Sequence, residues 1–270
     1  MKSQARAIVQ DAANPRQARL LLREYVQHLI LRQLFEQKIL QQWIFHGGTA
    51  LRIIYGLNRF SEDLDFHLRT PDSQYSIVAI VKMLSRNLKL QGYRISESRI
   101  TSETVVSAFI SFEQLLYEFN LSPHSNAKLS VKIELDTNPP GGFDYRQTLV
   151  NQYFPFGLII HDLPTFLAGK LHALIQRPFT KGRDYYDLVF LLSRWQELIP
   201  NITYLRNALR QTNYRGEEIT EHNWRNVILD IISKTNWDRV IKDVEPFLES
   251  VADLQSLNRE NLNVLLGGNG

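Results

Sequence analysis

Phe45-His46-Gly47-Gly48-Thr49-Ala50-Leu51 and, after a short amphipathic stretch, Arg59-Phe60-Ser61-Glu62-Asp63-Leu64-Asp65-Phe66 decide how this 270-residue chain is read. Trp43 to His46 form a short apolar strand candidate, which Gly47 and Gly48 end. Thr49 can cap the next helix, on which Leu51, Ile54 and Tyr55 point to one side, and Gly56 is its stop. Leu64, Phe66 and Leu68 then alternate with Asp63, Asp65 and His67, so a strand here buries the first set and displays the second.

Carboxylates at alternate strand positions have Cα atoms about 6.5 to 7 Å apart on one face, close enough to reach one ion or flank two. They also repel each other unless a cation neutralises them. Two readings stay open from the spacing alone: a solvated face countered by Arg59 or Arg69, or a cation site. The glycine pair permits close backbone approach, and the amides opening the helix, with the Thr49 hydroxyl and the helix dipole, suit phosphate oxygens. A Gly-Gly can equally serve only to turn the chain. His46 and His67 flank the carboxylates as hydrogen-bonding core residues or as ligands. Ser61 suits a nucleotide contact, a modification site or a strand-entry cap.

Working outward, Asn14-Pro15 is a helix start, and Leu22, Val26, Ile30 and Leu34 carry a helix to about Gln41. A helix over 73–90, a strand pair over 93–100 and 104–112, and a loop over 116–127 follow. Residues 129–136 alternate cleanly, with Val131, Ile133 and Leu135 inward and Lys132, Glu134 and Asp136 on the opposite face. Asn138-Pro139-Pro140-Gly141-Gly142 breaks the chain before a last strand over 157–161. From Pro164 onward the periodicity is helical: 164–177, 183–195, 200–210, 222–234, 237–249 and 251–266. The expected class is α+β, a mixed sheet flanked by helices over 1–162 and a helical domain over 163–270. The tail, 267–270, is expected to be disordered.

Composition is that of an ordinary globular protein, 44% hydrophobic and 22% charged. With no cysteine, disulfides and thiolate metal sites are excluded, and any metal must sit on carboxylates or histidines, which favours magnesium. A net charge of +3 permits nucleic-acid contact without arguing for it. Residues 1–24 hold no apolar segment of a secretory signal, and no run of about 18 apolar residues occurs. The expectation is a cytoplasmic protein with no membrane partner.

Gly47-Gly48-Thr49, thirteen residues, then Asp63-x-Asp65 resembles the glycine-turn and Asp-x-Asp signature of the DNA polymerase β-like nucleotidyltransferase superfamily. The fuller text, His46-Gly-Gly-Thr-Ala-Leu with Arg59-Phe-Ser-Glu-Asp-Leu-Asp-Phe66, resembles more narrowly the AbiEii/AbiGii-type nucleotidyltransferase toxins, which include the MenT group. That resemblance implies a nucleotidyltransferase-like fold with Mg2+ or Mn2+ on Asp63, Asp65 and a third carboxylate from a neighbouring strand. Glu134 is the first candidate for that third place and Asp136 the second. The wider superfamily often has Asp on the strand that here carries Lys132 and Glu134.

A second stretch is Lys170-Leu171-His172-Ala173-Leu174, Arg177, then Gly182-Arg183-Asp184-Tyr185-Tyr186-Asp187-Leu188. Lys170 and Arg177 share a helical face at a spacing of seven, and Arg183 and Asp187 stand at i, i+4. The residues around Asp187 are apolar nearly all round, so these charges need partners. They read either as a salt-bridge network between two helices or as a triphosphate site served by the Lys170 ammonium. The same pattern follows the catalytic strands in the AbiEii-type family, which carries over a catalytic role for Lys170 and Asp184 alongside Asp63 and Asp65. The nucleotide-binding set is then Gly47, Gly48, Thr49, Ser61, Lys132, Arg177, Arg183 and Asp187. The resemblance implies NMP transfer from an NTP to an RNA, the tRNA 3′ end in MenT-like relatives, and a cognate antitoxin as partner. Transfer to a small molecule or protein hydroxyl, and a silent nucleotide- or RNA-binding module, are the alternatives; an antitoxin is disfavoured because neither end carries a helix-turn-helix reader.

Overall fold

A computed structural model of the chain describes residues 2–96, 100–101 and 105–267. Residues 97–99 and 104 of the expected strand pair, Met1, and residues 268–270 of the tail lie outside the described residues. In chain order the first elements are α1 (Lys2–Gln10), α2 (Pro15–Glu36), β1 (Trp43–His46), α3 (Gly47–Tyr55), β2 (Asp63–Leu68) and α4 (Val78–Leu90). They are followed by β3 (Arg94–Ser96), β4 (Ile100–Thr101), β5 (Val105–Glu113), α5 (Leu115–Glu118), β6 (Lys128–Asp136), β7 (Tyr145–Asn151) and β8 (Pro155–His161). The chain ends in α6 (Leu163–Gln176), α7 (Gly182–Arg194), α8 (Ile202–Gln211), α9 (Trp224–Lys234), α10 (Trp237–Val244) and α11 (Arg259–Leu265).

The strands form one mixed sheet in the order β3-β5-β6-β2-β1-β8-β7, with β4 paired to β5. β2 runs antiparallel to β1 and parallel to β6, which places it among the central strands. Its apolar residues Leu64 and Phe66 stand beside Ile133 and Leu135 of β6 and are fully buried. Phe66 lies between the rings of Trp43 and Phe45, at centroid separations of 5.0 and 5.1 Å. Each such side chain contributes about 1.5–3 kcal/mol by leaving water. The opposite face of the same strands is the polar one.

The chain divides into two compact units. The first comprises residues 1–54, 60–139 and 147–160. Its α2 starts as the sequence dictates, with Pro15 in the first turn and the Asn14 side chain accepting from the Gln17 amide at 2.9 Å. The second comprises 55–59, 140–146 and 161–270. In it α6 packs against α7 and α8, and α7 against α10. Asp162, Asn201, Asn236 and Asn258 cap α6, α8, α10 and α11 through their side chains. A β-carbon on Gly182 would overlap the Val240 carbonyl, so only glycine lets the start of α7 approach α10 this closely.

Several expected elements differ. α3 begins at Gly47 rather than after a Thr49 cap, and Thr49 lies inside the helix with its hydroxyl donating to the Asp63 carbonyl of β2. The helix expected from 73 begins at Val78, since Asp72 first closes a turn by accepting from the Gln74 amide at 2.9 Å. Residues 115–118, read within or beside a loop, make the short α5. The helix expected over 237–249 ends at Val244, where Pro246 cannot donate and the chain tightens into a 3₁₀ turn. That expected over 251–266 splits into a 3₁₀ turn, Val251–Ser256, and α11, because Ser250 and Asn258 each supply a cap.

Candidate nucleotide site

In the first unit, the register of β2 against its neighbours assembles the polar face. Asp63 stands opposite Lys132 and Asp65 opposite Glu134 on β6, while His46 of β1 is the partner of Asp65 on the other side. All five are partly exposed. The Lys132 ammonium donates to Glu134 Oε1 at 2.7 Å, and Ser107 of β5 approaches the same oxygen at 3.4 Å. Partial burial works against the charge on Lys132, yet Glu134, then Asp63 and Asp65, hold its pKa above the usual lysine value. A lysine ammonium therefore already sits among the three carboxylates. The Arg59 fork engages Asp187 instead, and Arg69 donates to the Gln41 carbonyl at 3.3 Å.

The glycine turn is tied to this face by contact. Gly47 has φ +75°, in the left-handed region, and a β-carbon on it would collide with the Asp65 carboxylate. The Asp65 side chain thus lies directly over the backbone that opens α3. Thr49 is 1% exposed with its hydroxyl donated to the Asp63 carbonyl, so it fastens the helix start to β2. Ser61 lies just ahead of β2, its carbonyl accepting from Gln27 at 3.1 Å. The rings of His46 and His67 lie with centroids 4.0 Å apart and their planes tilted by 48°.

Among the described residues, no three Asp, Glu or His side chains form a ready-made metal cage. What the face offers is a pair of carboxylates, Asp63 and Asp65, with Glu134 next in register and held by Lys132. That donor set fits magnesium, which is bound through one or two carboxylates together with substrate phosphates rather than in an all-protein cage. Asp136 stands one row further, beside His67, and its carboxylate accepts from the Asn138 amide at 2.9 Å. Burial pushes its pKa up, against the charged form a metal ligand needs.

In the second unit, the charges of α6 and α7 form a buried network. Asp187 is 0% exposed; it receives the Arg59 guanidinium through two hydrogen bonds of 2.6 Å and the Lys170 ammonium at 2.6 Å. Lys170 also reaches Asp184 at 3.2 Å, and Arg177 lies 3.3 Å from the other Asp184 oxygen. Burial alone would raise the Asp187 pKa, but Arg59 and Lys170 outweigh it and hold it below the usual carboxylate value. Burial likewise opposes the charge on Lys170, and Asp187 and Asp184 prevail. Lys170, Arg177, Asp184 and Asp187 are therefore brought together. Arg183 is not: the i, i+4 pairing with Asp187 is replaced by Asp243, which accepts from the Arg183 amide at 3.2 Å, and by the Phe247 ring 4.2 Å from the guanidinium. Arg59 and Asp243 have no signal in the sequence that marks them as partners of α7, since both pairings are long-range.

The fold is shared with solved structures of low sequence identity. JHP933 from Helicobacter pylori is 20% identical, with a TM-score of 0.56 and 90% of each chain covered. A candidate nucleotidyltransferase from H. pylori is also 20% identical, with a TM-score of 0.50 and 89% of each chain covered. No curated protein matches the sequence. A family profile described as nucleotidyl transferase AbiEii toxin, type IV toxin-antitoxin system, matches residues 29–258, a span that contains the glycine turn, the paired carboxylates and the α6–α7 network. The chain is thus a nucleotidyltransferase of the AbiEii toxin family.

Proposed function

We propose that the protein transfers a nucleoside monophosphate from an NTP to a hydroxyl of an RNA acceptor, with the tRNA 3′ end as the first acceptor to test. In that reaction the acceptor oxygen attacks the α-phosphorus, pyrophosphate leaves and the hydroxyl proton is lost. The observation that carries the reading is the Asp65 carboxylate lying over Gly47, which sets a carboxylate pair beside the amides that open a helix. Mg2+ or Mn2+, held by Asp63 and Asp65 with Glu134 as third candidate, would supply charge neutralisation at the phosphates and a more acidic acceptor hydroxyl. The amides at Gly47 and Gly48 receive phosphate oxygens, favoured by the helix dipole. Thr49 holds that turn in place through Asp63, and Ser61 enters the same nucleotide-binding set. Lys132 keeps Glu134 aligned and offsets the negative charge of the face.

For the α6–α7 network, Lys170 has the role of stabilising charge that develops on the phosphates, with Asp184 and Asp187 fixing its ammonium and Arg177 in support. Family membership implies an NTP substrate and an antitoxin partner. RNA as the acceptor is supported by the toxin family, and the mild basic balance of the chain permits it. No helix among the described residues is long and apolar enough to cross a membrane, and action in the cytoplasm, where RNA and NTPs meet, is part of the proposal. The test is label transfer from each α-labelled NTP to RNA, protein and small-molecule acceptors. Transfer to RNA by the native protein, lost by a factor of at least 1,000 in the double variant Asp63→Asn with Asp65→Asn, is the expected result. Undiminished transfer by that variant would overturn the assignment.

A further inference from the structure

The second unit carries a cavity of about 280 Å³ between the end of α6, the α6–α7 loop, the first turn of α7 and the end of α9. Three of its residues are cationic: Arg177, Lys181 and Lys234. Lys234 also pairs with Asp230 at 2.6 Å. Phe179 contributes an aromatic ring that is 61% exposed, with the Arg177 guanidinium 5.5 Å from its centroid. Asp184 lines the cavity too. It is 4% exposed, yet its Oδ2 makes no hydrogen bond, and neither does Arg177 Nε although the two are 3.3 Å apart. A buried carboxylate oxygen and a guanidinium N–H left without hydrogen bonds in a native wall call for a ligand or a water to complete them.

The chemistry of the wall is specific. An inorganic anion would answer the cations but would face the Asp184 carboxylate with another negative oxygen. A neutral sugar would satisfy Asp184 and leave the positive charge unanswered. Burial lowers the Lys181 pKa; Asp184 opposes this, and the nearby Arg183, Arg177 and Lys170 add to the lowering. A ligand that has an anion at one end, hydroxyl or amino donors within reach of Asp184, and a flat ring for Phe179 answers all three features. The volume, at the low end for a ligand site, matches one such unit and not a duplex. Exposed aromatics beside a basic wall are how single-stranded nucleic acids are held without sequence readout.

We infer that this cavity is a nucleoside monophosphate pocket that holds one nucleotide of the single-stranded RNA acceptor, with the phosphate on Arg177, Lys181 and Lys234, a hydroxyl or amino donor on Asp184 Oδ2, and the base against Phe179. The inference rests on the RNA-acceptor reading above for the source of the nucleotide. Residues Phe179, Lys181 and Lys234 are the ones it adds.

The test measures binding without NTP or divalent metal, so that it is independent of transfer. A fluorescein-labelled hexaribonucleotide with a free 3′ hydroxyl is titrated by anisotropy against the native protein, Phe179→Ala, and the double variant Lys181→Gln with Lys234→Gln. Phe179 and Lys234 are exposed, and unchanged thermal unfolding confirms that the variants fold. Each variant is expected to bind the RNA at least tenfold more weakly, with adenosine 5′-monophosphate competing in the native protein and inorganic phosphate at equal concentration failing to compete. Equal RNA and adenosine monophosphate binding by native protein and variants, or no binding of either by the native protein, overturns the pocket. Variants that lose adenosine monophosphate but keep the RNA overturn the RNA assignment in favour of a free nucleotide. Label transfer run in parallel separates the two readings: a native protein that labels no RNA refutes the proposed reaction, while the loss of RNA binding in the variants still supports the pocket.

Discussion

Gly47 carries more of the site than its size suggests. It combines a left-handed φ of +75° with a Cα that the Asp65 carboxylate covers. An alanine there would meet two penalties: about 1–2 kcal/mol for an L side chain in that conformation, and displacement of the carboxylate it strikes. Gly47→Ala is therefore expected to lower NMP transfer by about 100-fold, the order of loss that a 1 Å misplacement brings, while destabilising the fold by only about 1–3 kcal/mol. Initial rates of label transfer set beside a urea melt check this; a rate within threefold of native would show that Asp65 has no catalytic need of its position. The glycine pair and the alternating aspartates were legible from the sequence because both are local patterns. That Asp65 rests on Gly47, and that the Lys132–Glu134 pair of β6 stands beside Asp63 and Asp65, depends on strand pairing and register, which single residues do not reveal.

At the level of elements, α6 and α7 are held by charges that are largely removed from bulk solvent. Asp187 serves two cations, Arg59 and Lys170, so its loss removes the carboxylate that both share. Removing one partner from a buried ion network costs about 3–5 kcal/mol, and Asp187→Asn is expected to lower unfolding stability by that order at pH 7. The pH dependence has a definite sign. The folded Asp187 pKa is depressed, so its contribution is complete above the unfolded carboxylate value of about 3.9 and declines as pH falls through the lower folded value. The stability gap between native protein and Asp187→Asn should thus be constant from about pH 5 to 8 and close below about pH 4; urea melts across that range measure it, and a gap that widened in acid would contradict the assignment. Helices were the most legible elements, because α2, α6 and α7 are long or strongly periodic. α1 and β7 were not. Lys2–Gln10 buries only Ala5, and Tyr145–Asn151 buries only Val150, so neither contributes a run of core side chains.

For the molecule as a whole, the order of the sheet does what local sequence cannot. Asp65 and Glu134 are far apart in the chain, and they become neighbours only because β6 inserts beside β2 in parallel, after a connection that contains α4 and the β3–β5 strands. The α+β class and the run of helices after residue 163 follow from periodicity; the parallel β2–β6 pairing does not, since either sheet orientation satisfies the same alternation. A site whose carboxylates come from separate strands has a measurable consequence when its ligand brings a cation. A ligand that binds only the folded protein stabilises it by RT ln(1 + [L]/Kd), about 2.7 kcal/mol at one hundred times Kd. For a chain of this size that is a rise of about 5 °C in the unfolding temperature. The native protein should show this shift with NTP and Mg2+ together and a smaller one with either alone, because Asp63 and Asp65 repel the triphosphate until a cation lies between them. Asp63→Asn with Asp65→Asn should lose the dependence on Mg2+ while keeping its own unfolding transition. Equal shifts with and without the metal in the native protein would place the triphosphate away from the carboxylate pair, and no shift under any condition would remove NTP as the ligand of this face.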